Sequence, residues 1–173
     1  MQLNKTVASL IITFLFTSWL TSQEVSQLQM TDLSSLPTAD AGENSLGYAG
    51  MMGGAHHNIV IAGGGANFPA GLPWEGGAKE WYSSIYLLEN DSWRLSATTL
   101  PSPLAYGASV STGDGVLIIG GDNKEGVSNK VFLLSYNGAN NDLDIIAYPD
   151  LPEPLAYTAA VTSDGYVYVA GGM

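Results

Sequence analysis

Three stretches of this 173-residue chain repeat one another, and a repeat at their spacing leaves few folds open. Gly47-Tyr48-Ala49 leads to Ile59-Val60-Ile61-Ala62-Gly63-Gly64, and Ala105-Tyr106-Gly107 leads to Leu117-Ile118-Ile119-Gly120-Gly121. Ala156-Tyr157-Thr158 leads in the same way to Tyr168-Val169-Ala170-Gly171-Gly172. In this alignment the Gly-Gly pairs are offset by 57 and then 51 positions, and the tyrosines by 58 and 51. The phrase Leu100-Pro101-Ser102-Pro103-Leu104-Ala105-Tyr106 returns as Leu151-Pro152-Glu153-Pro154-Leu155-Ala156-Tyr157. Units near 50 residues, filled with short apolar runs, point to an all-β fold, a kelch-type β-propeller with one blade per repeat.

Each repeat has room for four strands. In the second they are expected at 106–111, 115–121, 130–136 and 143–147; in the first, 84–88 and 92–95 are the third and fourth. Gly113-Asp114-Gly115 reads as a tight hairpin, because glycine accepts the positive φ such turns demand. Val116-Leu117-Ile118-Ile119 is continuously apolar, as befits a strand packed between two blades. Gly120-Gly121 ends that strand where side chains are expected to collide near a central channel. Trp93 is read as blade-to-blade packing rather than a ligand platform. A helical reading fails, since glycines and β-branched runs interrupt every apolar face. Blades are expected near 47–96 and 105–148, with an incomplete one at 156–173. Residues 25–36, followed by Pro37, resemble the outer strand and exit phrase before the other repeats. The expectation is therefore a piece of about 2.5 blades with an open edge.

Charge and composition narrow the chemistry. Sixteen Asp and Glu against five Lys and Arg give a net charge of −11, which repels phosphate backbones and argues against nucleic-acid binding. With no Cys there are no disulfides, thiolate zinc sites or cysteine nucleophiles. The same absence argues against a copper-radical sugar oxidase, a propeller enzyme that needs a Tyr–Cys crosslink. The only histidines, His56 and His57, are too few for a multi-histidine metal site and fall in a hairpin, so no cofactor or metal is expected. Lys5 followed by the apolar run 6–20 reads as a secretory signal peptide over residues 1–22, leaving 23–173 as the exported chain, periplasmic or secreted. The run is short of the roughly 20 residues that span a bilayer, which favours cleavage over the alternative of an uncleaved anchor, and no membrane association is expected after cleavage.

The loop after the first Gly-Gly is the distinctive part of the sequence. Asn67-Phe68-Pro69, then Pro73-Trp74-Glu75-Gly76-Gly77 and Lys79, together with Gly47-Tyr48-Ala49-Gly50, resemble the N-acetylneuraminate epimerase (sialic acid mutarotase) family. The likeness is to its cyclically permuted branch, in which the loop-bearing repeat comes first, and it covers residues 25–173. It implies a six-bladed propeller that interchanges the α and β anomers of N-acetylneuraminic acid, a small-molecule sugar. That reaction needs an acid or base at the anomeric hydroxyl, a proton partner at the ring oxygen and a cation for the carboxylate. The family's catalytic Glu and nearby Arg follow the Gly-Gly of another repeat, which the permuted order places beyond Met173. Neither Gly63-Gly64-Gly65 nor Gly120-Gly121-Asp122 carries that pair, and the sole Arg, Arg94, belongs to an outer strand. The chain by itself is thus expected to be inactive or unfolded.

Candidate pocket residues remain. Asn67 is a candidate for hydrogen bonding, against a turn role; Glu75 for proton transfer, against a loop-bracing carboxylate; and Lys79 for carboxylate pairing. Trp74 either stacks on a sugar or pins the loop. Asp122 and Asn123 occupy the equivalent loop of the next repeat. The competing function is a non-catalytic kelch module that binds protein or glycan, which needs no Glu–Arg pair on its channel loops.

Overall fold

Short apolar runs joined by Asn- and Gly-bearing turns fold into successive antiparallel meanders. The computed structural model describes residues 30–38 and 45–172, so residues 1–22 and the start of the 25–36 segment lie outside the described residues. Blade 1 has strands β1 (Met52–His56) and β2 (Ile59–Gly63), a short pair β3 (Ala66–Asn67) and β4 (Glu80–Trp81), then β5 (Ile85–Glu89) and β6 (Ser92–Leu95). Blade 2 repeats the plan with β7 (Ala108–Ser111), β8 (Val116–Ile119), β9 (Asp122–Asn123), β10 (Gly126–Val127), β11 (Val131–Asn137) and β12 (Asp142–Tyr148). A third unit consists of β13 (Thr158–Ser163) and β14 (Tyr166–Gly171). The four-stranded sheets run β1-β2-β5-β6 and β7-β8-β11-β12, the order of a propeller blade. Residues 30–36 form no strand. Among the described residues no helix is long and apolar enough to cross a membrane.

The turns explain the hairpins. His57-Asn58 (φ 50° and 63°), Asn90-Asp91 (48° and 62°) and Asp164-Gly165 (51° and 79°) each place two consecutive residues in the left-handed region. That is the requirement of a type I′ turn, whose twist matches the flanking strands. The 112–115 hairpin differs from expectation: only Gly115 has positive φ, and Thr112 closes the loop through its N–H and hydroxyl, both donated to the Gly115 carbonyl.

Packing between blades explains the apolar run 116–119. Successive side chains of a strand point to opposite faces. Val116 and Ile118 join Met52, Ile61, Ile85 and Leu87 in the core shared with blade 1. Leu117 and Ile119 face the other way and pack with Ala160 and Val169 of the third unit. The inner strands are also stitched by polar groups. Ser109 Oγ accepts from Gly53 N (3.0 Å) and donates to Gly53 O (2.8 Å), and Ser111 Oγ accepts from Ala55 N (2.8 Å). His56, expected only to turn the chain, is buried and its Nδ1 accepts the Tyr136 N–H at 3.0 Å, while His57 makes the turn. Arg94 is likewise more than a surface cation: it donates to the Asn141 carbonyl of blade 2 at 2.6 Å. Trp93 is half-buried on β6.

The structure shifts the first repeat by one residue. Gly64 N donates to Ser84 O as Gly120 N does to Lys130 O, and Gly65 N donates to Leu104 O as Gly121 N does to Leu155 O. The pair equivalent to Gly120-Gly121 is therefore Gly64-Gly65, with Gly63 still inside β2. In the same register Gly50, not Tyr48, corresponds to Tyr106 and Tyr157, and all three carry positive φ (66°, 58° and 58°). The reason for glycine also differs from the expected crowding at a channel. A Cβ on Gly64 would lie 2.2 Å from Leu104 O, and one on Gly120 would lie 2.1 Å from Leu155 O. The glycines admit the chain segment that leads into the next blade.

Candidate functional site

Beyond each glycine pair the chain leaves its blade sheet and makes a short two-stranded extension, β3 with β4 and β9 with β10. These extensions stand side by side at the end of the blades where the glycine strands exit. Loop residues there are held by a repeated device. The Asn67 amide donates to Gly47 O at 3.0 Å, and the Asn123 amide donates to Pro103 O at 3.1 Å.

The sequence candidates separate. Asn67 spends its other amide atom too, its Oδ1 accepting the Tyr82 hydroxyl at 2.7 Å, so both halves of the side chain brace the fold. Glu75 ends the 3₁₀ turn Pro73–Glu75, is exposed, and accepts the Leu72 N–H at 3.3 Å. Trp74 beside it is exposed to 79% and pins nothing. Lys79 alone of the three lies in a cavity. That cavity, about 390 Å³, is bounded by Lys79, Glu80 and Trp81 of blade 1 and by Asn123, Lys124 and Glu125 of blade 2, with Ser102 and Pro103 between them. Asn67 and Glu75 do not line it.

Next to the cavity an aromatic and carboxylate cluster ties the extensions together. Lys79 Nζ lies 4.3 Å from the Tyr106 ring centroid and 4.8 Å from that of Trp81. Trp81 Nε1 donates to one Asp122 oxygen at 3.0 Å, and the Tyr157 hydroxyl donates to the other at 2.9 Å. Tyr106 and Tyr157 stack with centroids 4.9 Å apart. The bond to Asp122, followed by burial and the carboxylate charge, pushes the Tyr157 phenol above its ordinary value. The backbone supports this stack, since Tyr106 N donates to Gly50 O (2.9 Å) and Tyr157 N donates to Tyr106 O (2.8 Å).

Trp81, Tyr106 and Tyr157 were not among the sequence candidates. In the sequence the recurring Ala-Tyr marks the repeat, and only the left-handed φ of both tyrosines reveals a position that glycine fills more easily. A second tyrosine group, Tyr48, Tyr82 and Tyr86, packs within blade 1. Tyr48 meets Tyr82 edge-on at 4.8 Å, the Tyr48 and Tyr86 hydroxyls lie 3.1 Å apart, and burial holds the Tyr86 phenol far above its ordinary value. No group of three His, Asp or Glu side chains among the described residues is placed to hold a metal ion.

Comparison with known proteins agrees with this architecture. The family model described as N-acetylneuraminate epimerase matches residues 16–145. An N-acetylneuraminate epimerase of Yersinia enterocolitica is 35% identical over 136 residues, covering 73% of this chain and 34% of that protein. One of Salmonella enteritidis is 37% identical over 102 residues, covering 54% of this chain and 26% of its own length. The chain thus spans about a third or less of the curated relatives it matches. The solved structure of YjhT superposes with a TM-score of 0.52 at 27% identity, covering 62% of this chain and 32% of that one.

Proposed function

The chain belongs to the N-acetylneuraminate epimerase family, and we propose that it serves the interchange of α and β anomers of N-acetylneuraminic acid by holding the sugar at the exit face of blades 1 and 2. The observation that carries this reading is the convergence of Trp81, Asn123 and two lysines on one cavity, beside Asp122, Tyr106 and Tyr157. An aromatic wall, anchored polar groups and cations are the features that fix a small acidic sugar.

Proton transfer is a separate requirement. Ring opening breaks the bond from the anomeric carbon to the ring oxygen, takes a proton from the anomeric hydroxyl and delivers one to the ring oxygen; closure on the other face reverses this. Among the described residues Ala66-Asn67 follows Gly64-Gly65, and Asp122-Asn123 follows Gly120-Gly121. Arg94 is engaged by Asn141. These blades therefore contribute recognition, without a Glu–Arg pair after a glycine pair. Export through residues 1–22 to the periplasm or beyond belongs to the same proposal, supported by the apolar run 6–20 behind Lys5.

Ligand-observed NMR tests it. With the purified chain and N-acetylneuraminic acid, magnetic saturation should pass from protein to sugar while the anomers interchange at their rate in buffer. No transfer from a cooperatively melting chain would overturn the recognition role. Interchange accelerated by this chain would overturn the division between recognition and proton transfer.

A further inference from the structure

Four basic side chains occur among the described residues: Lys79, Arg94, Lys124 and Lys130. Two are engaged away from the cavity. Arg94 is bonded to Asn141, and Lys130 makes the one ion pair among the described residues, with Asp150 at 2.6 Å. The other two, Lys79 and Lys124, come from different blades and line the same cavity. In a chain of net charge −11 this gathering of unpaired cations singles the cavity out. Lys79 Nζ rests on the faces of Tyr106 and Trp81, which attract its charge but leave its three N–H donors available.

Resting on the reading that the exit face takes a sugar, we infer that Lys79 and Lys124 form a subsite for a single carboxylate of that sugar. The carboxylate would enter between blades 1 and 2 and draw the Lys79 ammonium from its aromatic rest toward the cavity. Glu80 and Glu125 line the same space, so its four charged side chains sum to zero. A monoanion and a phosphate dianion would meet the same two cations and two carboxylates, but the negative field of the whole chain repels the dianion more strongly. Trp81 gives the subsite a wall of fixed orientation, because its indole N–H is anchored on Asp122. The volume, about 390 Å³, lies at the small end of ligand sites, suited to a monosaccharide.

The test is a titration of the full chain, followed by ligand-observed NMR, with N-acetylneuraminic acid, its uncharged methyl ester and acetate. We expect the acid to bind at least tenfold more tightly than the ester. Lys79→Met and Lys124→Met should each weaken acid binding severalfold and narrow the gap between acid and ester, and Lys79→Arg should retain most of the acid binding. Unchanged melting temperatures would exclude misfolding of the variants. Equal binding of acid and ester, or acid binding indifferent to both Met variants, overturns the subsite while leaving the sugar reading in place. Acetate competing as well as the acid overturns the sugar reading and leaves an anion site. Binding of none of the three overturns both.

Discussion

Tyr106 and Tyr157 hold left-handed backbone at φ 58°, a conformation that costs an ordinary residue about 1–2 kcal/mol, where blade 1 has Gly50. What offsets this is side-chain contact: the stack between the two rings, the Tyr157 bond to Asp122, and the Lys79 ammonium over Tyr106. Tyr157→Phe keeps the stack and loses a solvent-exposed hydrogen bond to a carboxylate, so chemical denaturation should show a loss of about 0.5–1.5 kcal/mol. The glycine pair is stricter. Gly120→Ala combines φ 62° with a Cβ placed 2.1 Å from Leu155 O, and we expect a loss above about 2 kcal/mol. Gly138→Ala, with nothing within 4 Å and no positive φ, is the control and should stay within about 0.5 kcal/mol.

His56 carries a pH dependence of definite sign. Burial, then the neighbouring His57, lowers its imidazole below the ordinary 6.5, against a hydrogen bond with the Gly113 backbone and the Asp114 charge. The folded chain therefore favours neutral His56, whose Nδ1 must be free to accept the Tyr136 N–H. Its contribution is complete above 6.5 and is lost as the pH falls from there through the lowered value. Denaturation midpoints should decline over that window in the native chain, and more weakly in His56→Gln.

At the scale of elements the sequence was legible where a strand is long enough to show its pattern. The run expected at 92–95 is β6 itself, and those expected at 84–88 and 130–136 lie within one residue of β5 and β11. The two-residue strands β3, β4, β9 and β10 show no periodicity, because two positions cannot display an alternation. The three glycines 63–65 hid the register, which is set by the Leu104 and Leu155 carbonyls contributed from the next blade. The loop motif is visible in the sequence, but the partners it gives Asn67 and Glu75 are not: the Gly47 carbonyl and the Tyr82 hydroxyl for one, the Leu72 N–H for the other. Blade contacts are testable as units. Asp142 accepts from the Ser96 hydroxyl and from the N–H groups of Ala97 and Leu143, joining the end of blade 1 to β12. Burial pushes its carboxyl up, but these bonds and Arg94 outweigh burial and hold it below the ordinary range. Asp142→Ala leaves those donors unpartnered and should lower stability by about 1–3 kcal/mol, read from the urea midpoint.

Through the described blades, alternate faces of each sheet serve successive blades, so stability accrues by stacking, and the cavity that Lys79 and Lys124 line lies where two blades meet. The third unit follows the same register, with Ala156 buried in the place of Ala105, while β14 leaves Tyr166 and Tyr168 exposed. The proposed recognition of an acidic sugar depends on this meeting of blades, and Trp81 is its built-in reporter. Of the tryptophans among the described residues, Trp74, Trp81 and Trp93, it alone lines the cavity, whereas Trp74 stands on the exposed loop turn. The decisive measurement follows the indole N–H signals of Trp74, Trp81 and Trp93 in the nitrogen-15-labelled chain as N-acetylneuraminic acid is added. We expect the Trp81 signal, anchored on Asp122, to shift with saturation while the Trp74 signal stays in place. A shift confined to Trp74, or no indole shift at a concentration that saturates binding, would contradict the placement of the sugar between blades 1 and 2.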